Sequence, residues 1–287
     1  MKKVNYLTAL IIFALTMLFM NGGALLISMM AMIGGMFLSG TAGVMDSYDY
    51  LMGHLNLYSA LIYLPVFVLF ALWYYFAVTE KEGIRRSFAK IKENVYPASI
   101  VWFLVAVFAM QHFITIIMTV INLAAPQLME EYMELVESSG LTEYSVMWVI
   151  STLILPPLTE EIIFRGLIMK YLRRAGACFV VVNLIQAVLF GIFHMNLVQG
   201  IYTAMFGFVL GWFAKRYDTL AVPVLLHALF NLFGTAVVEL ENALLPEPVL
   251  TLVVLLSIPL LILSFLMIHF RVGEKKRAPE IQQEEQL

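Results

Sequence analysis

Long stretches of this sequence carry no charged side chain, at 7–40, 55–78, 97–125, 146–158, 178–198, 219–238 and 249–270. Most reach or approach the roughly 20 residues that a helix needs to cross a ~30 Å hydrocarbon layer. A chain buried in lipid must satisfy its backbone internally, so such runs fold as helices packed on one another. With 62% hydrophobic and 13% charged residues among 287, the sequence is far more apolar than a soluble domain. The expected fold class is all-α: a polytopic membrane protein of about eight transmembrane helices, near 7–35, 55–78, 97–122, 146–170, 176–195, 197–214, 219–238 and 249–270. Residues 1–272 form a single transmembrane helical domain, followed by a polar cytoplasmic tail at 273–287, expected to be unordered. The first run outlasts a signal-peptide core and is read as a membrane helix, with a kink expected at Asn21, Gly22 and Gly23.

Charge placement orients these spans. With the N-terminus inside, the cytoplasmic segments hold 16 of the 17 Lys and Arg residues. They are Lys2 and Lys3; Lys81, Arg85, Arg86, Lys90 and Lys92; Lys170, Arg173 and Arg174; Lys215 and Arg216; and Arg271, Lys275, Lys276 and Arg277. The outer loops carry only acids, and this asymmetry predicts both termini in the cytoplasm of an integral plasma membrane protein, expected to be bacterial. Between the third and fourth spans, Leu128, Met129, Tyr132, Leu135 and Val136 recur at helical spacing, which predicts a short interfacial helix. Gly207 and Gly211, four apart, mark a close helix contact. The single cysteine, Cys178, excludes an intrachain disulfide and a multi-cysteine metal site. No basic stretch points to nucleic acid.

The remaining cation, Arg165, falls inside a span together with Glu160 and Glu161. Ionisable groups in hydrocarbon are costly unless paired or facing a watered cavity, so they mark a candidate site. Pro156 and Pro157 are expected to break the incoming helix, with Thr159 capping a new one. Glu161 and Arg165, one turn apart, share a face and can pair, while Glu160 points elsewhere. A second constellation aligns Asn183, Gln186, Phe190 and His194 on one helical face. A third puts His227 and Asn231 one turn apart in an apolar span. On a straight fifth span His194 emerges near the outer end, whereas Glu160 and His227 lie part-way in from the cytoplasmic side.

Together these groups supply what peptide hydrolysis needs: a carboxylate and an imidazole to deprotonate water, and donors for the oxyanion. Glu160 and His194 are read as activating water, with His227 and Asn231 as the oxyanion pair. A buried salt-bridge cluster, a binding pocket or a proton relay are the competing readings, although no repeated half supports transport. Two histidines and a glutamate can also hold zinc. The metal-free reading is preferred because no His-Glu-x-x-His helix is present and asparagine is a poor zinc ligand.

The set Glu160-Glu161-x-x-x-Arg165, Phe190-x-x-x-His194 and His227-x-x-x-Asn231, in that order, resembles the three motifs of the CAAX protease and bacteriocin-processing (CPBP, or Abi) family. The resemblance covers about a quarter of the chain. It implies an eight-helix intramembrane endopeptidase related to the type II CAAX prenyl endopeptidase, with Glu160 as general base, Glu161 and Arg165 supporting, His194 assisting the water, and His227 and Asn231 binding the oxyanion. It implies membrane lipid as surroundings and, as substrate, a prenylated CAAX protein, a peptide precursor or another membrane protein. Some relatives are regarded as immunity or partner-binding proteins, which keeps a non-catalytic alternative open.

Overall fold

The computed structural model describes residues 2–79, 84–141 and 143–284. Lys81 lies outside the described residues, as do the side chains of Lys2, Arg85, Arg86, Arg271, Lys275, Lys276 and Arg277. Every described element is helical: α1 (Lys2–Met52), α2 (Leu55–Tyr74), α3 (Ile84–Asn94), α4 (Pro97–Ala124), α5 (Pro126–Glu137), α6 (Val146–Arg174), α7 (Phe179–Phe193), α8 (Leu197–Tyr217), α9 (Ala221–Leu244) and α10 (Glu247–Glu284). Seven of these, α1, α2, α4, α6, α8, α9 and α10, contain a stretch long and apolar enough to cross a membrane. The remaining expected span is the apolar α7, whose 15 residues extend only about 22 Å. α10 continues to Glu284, so the tail expected to be unordered from Gly273 prolongs the last helix.

The expected kink at Asn21, Gly22 and Gly23 is absent, and Asn21 instead donates its amide to the Met17 carbonyl at 2.8 Å. α1 bends at Ser39 and Gly40, where Gly40 has φ 65° and ψ −146°, a region open essentially to glycine. The chain folds back there so sharply that a Cβ on Gly35 would collide with the Gly43 carbonyl. Two glycines eight positions apart could not meet along a straight helix.

Two apolar clusters hold the bundle. One joins Ile12 of α1 and Phe70 of α2 to Phe164 and Leu167 of α6 and Phe190 of α7. The other joins Phe103 of α4 to Phe206 and Phe213 of α8, Leu226 of α9 and Ile268 of α10. α6 is the central helix: 56% of its most apolar stretch is buried, against 11% for the first and last spans. Side chains such as Leu7, Leu10, Leu255 and Ile262 are exposed, which places them against lipid once the protein is in a bilayer.

α7 and α8 form a tight hairpin. Met195 reverses the chain at φ 57°, and Asn196 caps α8 by accepting the Gln199 N–H at 2.9 Å. Gly207 and Gly211 let the two helices meet, since a Cβ on Gly211 would strike Asn183 and one on Gly207 would lie 2.8 Å from Phe190. Asn183 and Gln186 face inward as their spacing predicted, donating to the Phe208 and Gly207 carbonyls at 2.9 Å each. The short helix expected after the third span is α5, and it buries Met129.

Candidate active site

The site grows out of a local defect in α6. Pro156 and Pro157 lack an N–H, so the Thr152 carbonyl finds no donor four or five residues ahead. The helix passes this point as a π-helical turn, Val149–Ile154, that leads into Leu155–Glu161. The prolines therefore widen the span instead of ending it, contrary to the expected break. Thr159 does not cap a new helix either, because its hydroxyl donates to the Leu155 carbonyl at 2.6 Å. The orphaned Thr152 carbonyl is taken up by Asn231 of α9, which donates its side-chain amide at 2.9 Å. A defect written into α6 thus anchors a candidate site residue from another helix.

One turn further on, Glu161 and Arg165 pair as their spacing suggested, with Arg165 Nη1 2.7 Å from Glu161 Oε1. Arg165 also donates from Nη2 to the Gly207 carbonyl at 3.0 Å, and its guanidinium lies 4.5 Å from the centre of the Phe190 ring. Glu161 Oε1 meets His227 Nδ1 at 2.9 Å as well. An ionised carboxylate only accepts, so Nδ1 is the donor and the Nε2 side of the ring turns toward Glu160, 3.7 Å from its Oε2. Phe190 and Phe206, one from each apolar cluster, stand edge-on to His227 at centroid distances of 5.8 and 5.9 Å.

Glu160 is buried and held by Tyr63 of α2, whose hydroxyl donates to Oε1 at 2.7 Å. Its Oε2 has no hydrogen-bond partner among the described residues. Glu160, His194, His227 and Asn231 all line one cavity of about 480 Å³. Glu161 Oε2 is also unpartnered, but Glu161 does not reach this cavity. The two neighbouring acids are thereby distinguished: one is clamped by Arg165 and His227, and the other lines the cavity and keeps one oxygen without a hydrogen-bond partner among the described residues.

His194 joins them because α7 is short. From Cys178 to His194 the helical rise is about 24 Å, and from Arg174 back to Glu160 it is about 21 Å, so two helices leaving the same end bring both residues to one level. His227 reaches that level because the turn before α9 enters the bundle at Gly166, where a Cβ would lie 3.1 Å from Leu220 and 2.9 Å from Tyr74. The mismatch of depth expected from a straight fifth span does not arise. His194 Nδ1 is bonded to the Phe190 carbonyl at 2.8 Å, which makes it the donor and leaves Nε2 as the nitrogen that can serve the cavity.

Sequence reasoning missed Tyr63, Gln111 and Tyr202, all of which line the cavity. Nothing in the spacing of α2 separates Tyr63 from its neighbour Tyr58, which instead bonds the Ala24 carbonyl. α5 covers part of the cavity through Tyr132 and Val136. The Tyr132 hydroxyl lies 3.2 Å from that of Tyr202, and burial raises its pKa above the ordinary phenol value, which keeps the phenol neutral. His112 and Glu241, 3.4 Å apart, tie α4 to α9 beyond the cavity. No group of three His, Cys, Asp or Glu side chains among the described residues converges as a metal site would.

The Thr152 anchor makes a prediction about stability. Asn231→Ala strands a buried carbonyl and is expected to cost about 1–3 kcal/mol in thermal unfolding in detergent. Pro156→Ala restores an N–H four residues ahead of Thr152, so the same substitution costs less in that background. Additive costs would show that the carbonyl is not what the amide serves.

Residues 142–233 match the family model described as type II CAAX prenyl endopeptidase Rce1-like. The matched stretch contains α6 to the first half of α9 and all seven motif residues. No curated protein and no solved structure matches the chain.

Proposed function

We propose that this chain, which matches the Rce1-like family model over residues 142–233, is an intramembrane endopeptidase that hydrolyses peptide bonds with a water activated by Glu160 and His194. The observation that carries this reading is that Glu160, whose Oε2 has no hydrogen-bond partner among the described residues, lines one cavity with two imidazoles and a carboxamide. Tyr63 fixes the carboxylate through its other oxygen, so Oε2 is free to take a proton from water. His194 Nε2 is the second group able to orient or relay that proton.

His227 and Asn231 are assigned to the oxyanion that forms when water adds to the carbonyl. Asn231 uses one amide hydrogen on Thr152 and keeps the other for substrate. His227 donates from Nδ1 to Glu161, so donation to an oxyanion from Nε2 requires the ring to carry a second proton. Glu161 and Arg165 support the site by fixing that ring and bridging α6 to α8. Substrates of this reaction are peptides or proteins at the membrane, with CAAX-type chain ends and peptide precursors both within the reading.

The test is cleavage of a quenched peptide library, including prenylated CAAX peptides, by the purified protein in detergent with and without a strong zinc chelator. Cleavage that survives chelation supports the glutamate-dependent reading. Cleavage abolished by chelation and restored by zinc replaces it with a zinc protease, and a protein that binds peptides from the library without cutting them replaces it with a partner-binding or immunity role.

A further inference from the structure

We infer that the cavity around Glu160 opens on the extracytoplasmic side of the membrane, so that its substrate is a peptide segment exposed at that face. This rests on the proposed reaction for the word substrate, but the orientation is argued independently of catalysis. Beyond the motif residues the cavity is lined by Tyr132 of α5, Leu141 of the loop that follows it, and Glu239 and Asn242 near the end of α9. The Tyr144 hydroxyl donates to Glu239, which ties the same loop to the same end of the bundle. Asn242 is exposed, and it marks the mouth.

The opposite end of the bundle carries the positive charge. Arg165, one turn past Glu161 on α6, already belongs to a second cavity of about 380 Å³ lined by Lys90, Lys170, Arg173 and Lys215, with Asp218 paired to Lys90 at 2.9 Å. Arg174 and Arg216 lie at the same end. The acidic end holds no Lys or Arg in residues 125–145 and 239–248. The excess of Lys and Arg marks the cytoplasmic side of a membrane protein. The two cavities lie at opposite ends of α6, so a cytoplasmic basic end turns the Glu160 cavity outward. Its walls include Ile114, Met118 and Phe230, which suit an apolar side chain on the peptide.

The chain's one cysteine supplies an internal control. Cys178 is exposed at the start of α7, beside Arg173 and Arg174 at the basic end. Spheroplasts expressing either the wild type or Cys178→Ser/Asn242→Cys are treated with a membrane-impermeant maleimide before and after permeabilisation, and labelling is read as a mass shift. The expected result is labelling of Asn242→Cys in the intact preparation and of Cys178 only after permeabilisation. The reverse pattern, or labelling of Asn242→Cys only after permeabilisation, overturns the outward mouth and leaves the proposed reaction untouched. Loss of the proposed reaction, read separately in detergent with the Glu160→Gln variant, leaves the labelling result standing.

Discussion

Glu160→Gln is expected to lose about 10²–10⁴-fold in peptide hydrolysis, the usual contribution of a positioned general base, while unfolding at nearly the wild-type temperature. The amide keeps the shape of the carboxylate and retains a carbonyl oxygen for the Tyr63 hydroxyl, which now lies 2.7 Å from Oε1. What it cannot do is accept a proton at the position of Oε2, which has no hydrogen-bond partner among the described residues. The loss should fall mainly on kcat, because the group acts on water and not on the bound peptide. Tyr63→Phe provides the graded companion: it frees Oε1 without removing the base and should lower turnover far less. Wild-type turnover by Glu160→Gln would remove this carboxylate from the chemistry and transfer the base role to an imidazole.

Arg165→Met is expected to produce the largest loss of stability, about 3–5 kcal/mol, because it leaves the carboxylate of Glu161 buried without its cation. The Glu161 and Arg165 side chains are both fully buried and 2.7 Å apart, so water cannot substitute for the missing partner. The same change removes the donor that ties α6 to the Gly207 carbonyl. The double variant Glu161→Gln/Arg165→Met should recover much of the loss, since it removes both charges together. Thermal unfolding of Arg165→Met, Glu161→Gln, the double variant and the wild type in one detergent closes the cycle. A double variant no more stable than Arg165→Met would show that the loss comes from packing against Phe190 and not from the unpaired acid.

The same cluster shows how far local spacing reaches. The pairing of Glu161 with Arg165 was legible because residues four apart on a helix are neighbours wherever that helix sits. The inward face of Asn183 and Gln186 and the close approach at Gly207 and Gly211 were legible for the same reason, since each depends on helical periodicity and side-chain size. The role of Pro156 and Pro157 was only half legible. Their missing N–H groups announce an irregularity, but the sequence does not say whether the helix breaks or widens. The answer depends on Asn231, far along the chain, which takes the carbonyl that the prolines leave unpaired.

By itself, the sequence determined that this chain is a helical membrane protein with an ionisable cluster in its interior, because uncharged length and buried charge are properties of local composition. Only the tertiary structure decided which acid is clamped and which faces the cavity, that a short α7 lifts His194 to the level of Glu160, and that Tyr63 holds the carboxylate from a distant span. These depend on distances between helices, set by the packing of Phe190 and Phe206 around His227, by Phe164 against Phe190, and by the glycines that let backbones meet. Periodicity gives the face on which a residue lies, and packing between helices gives the partner that face meets.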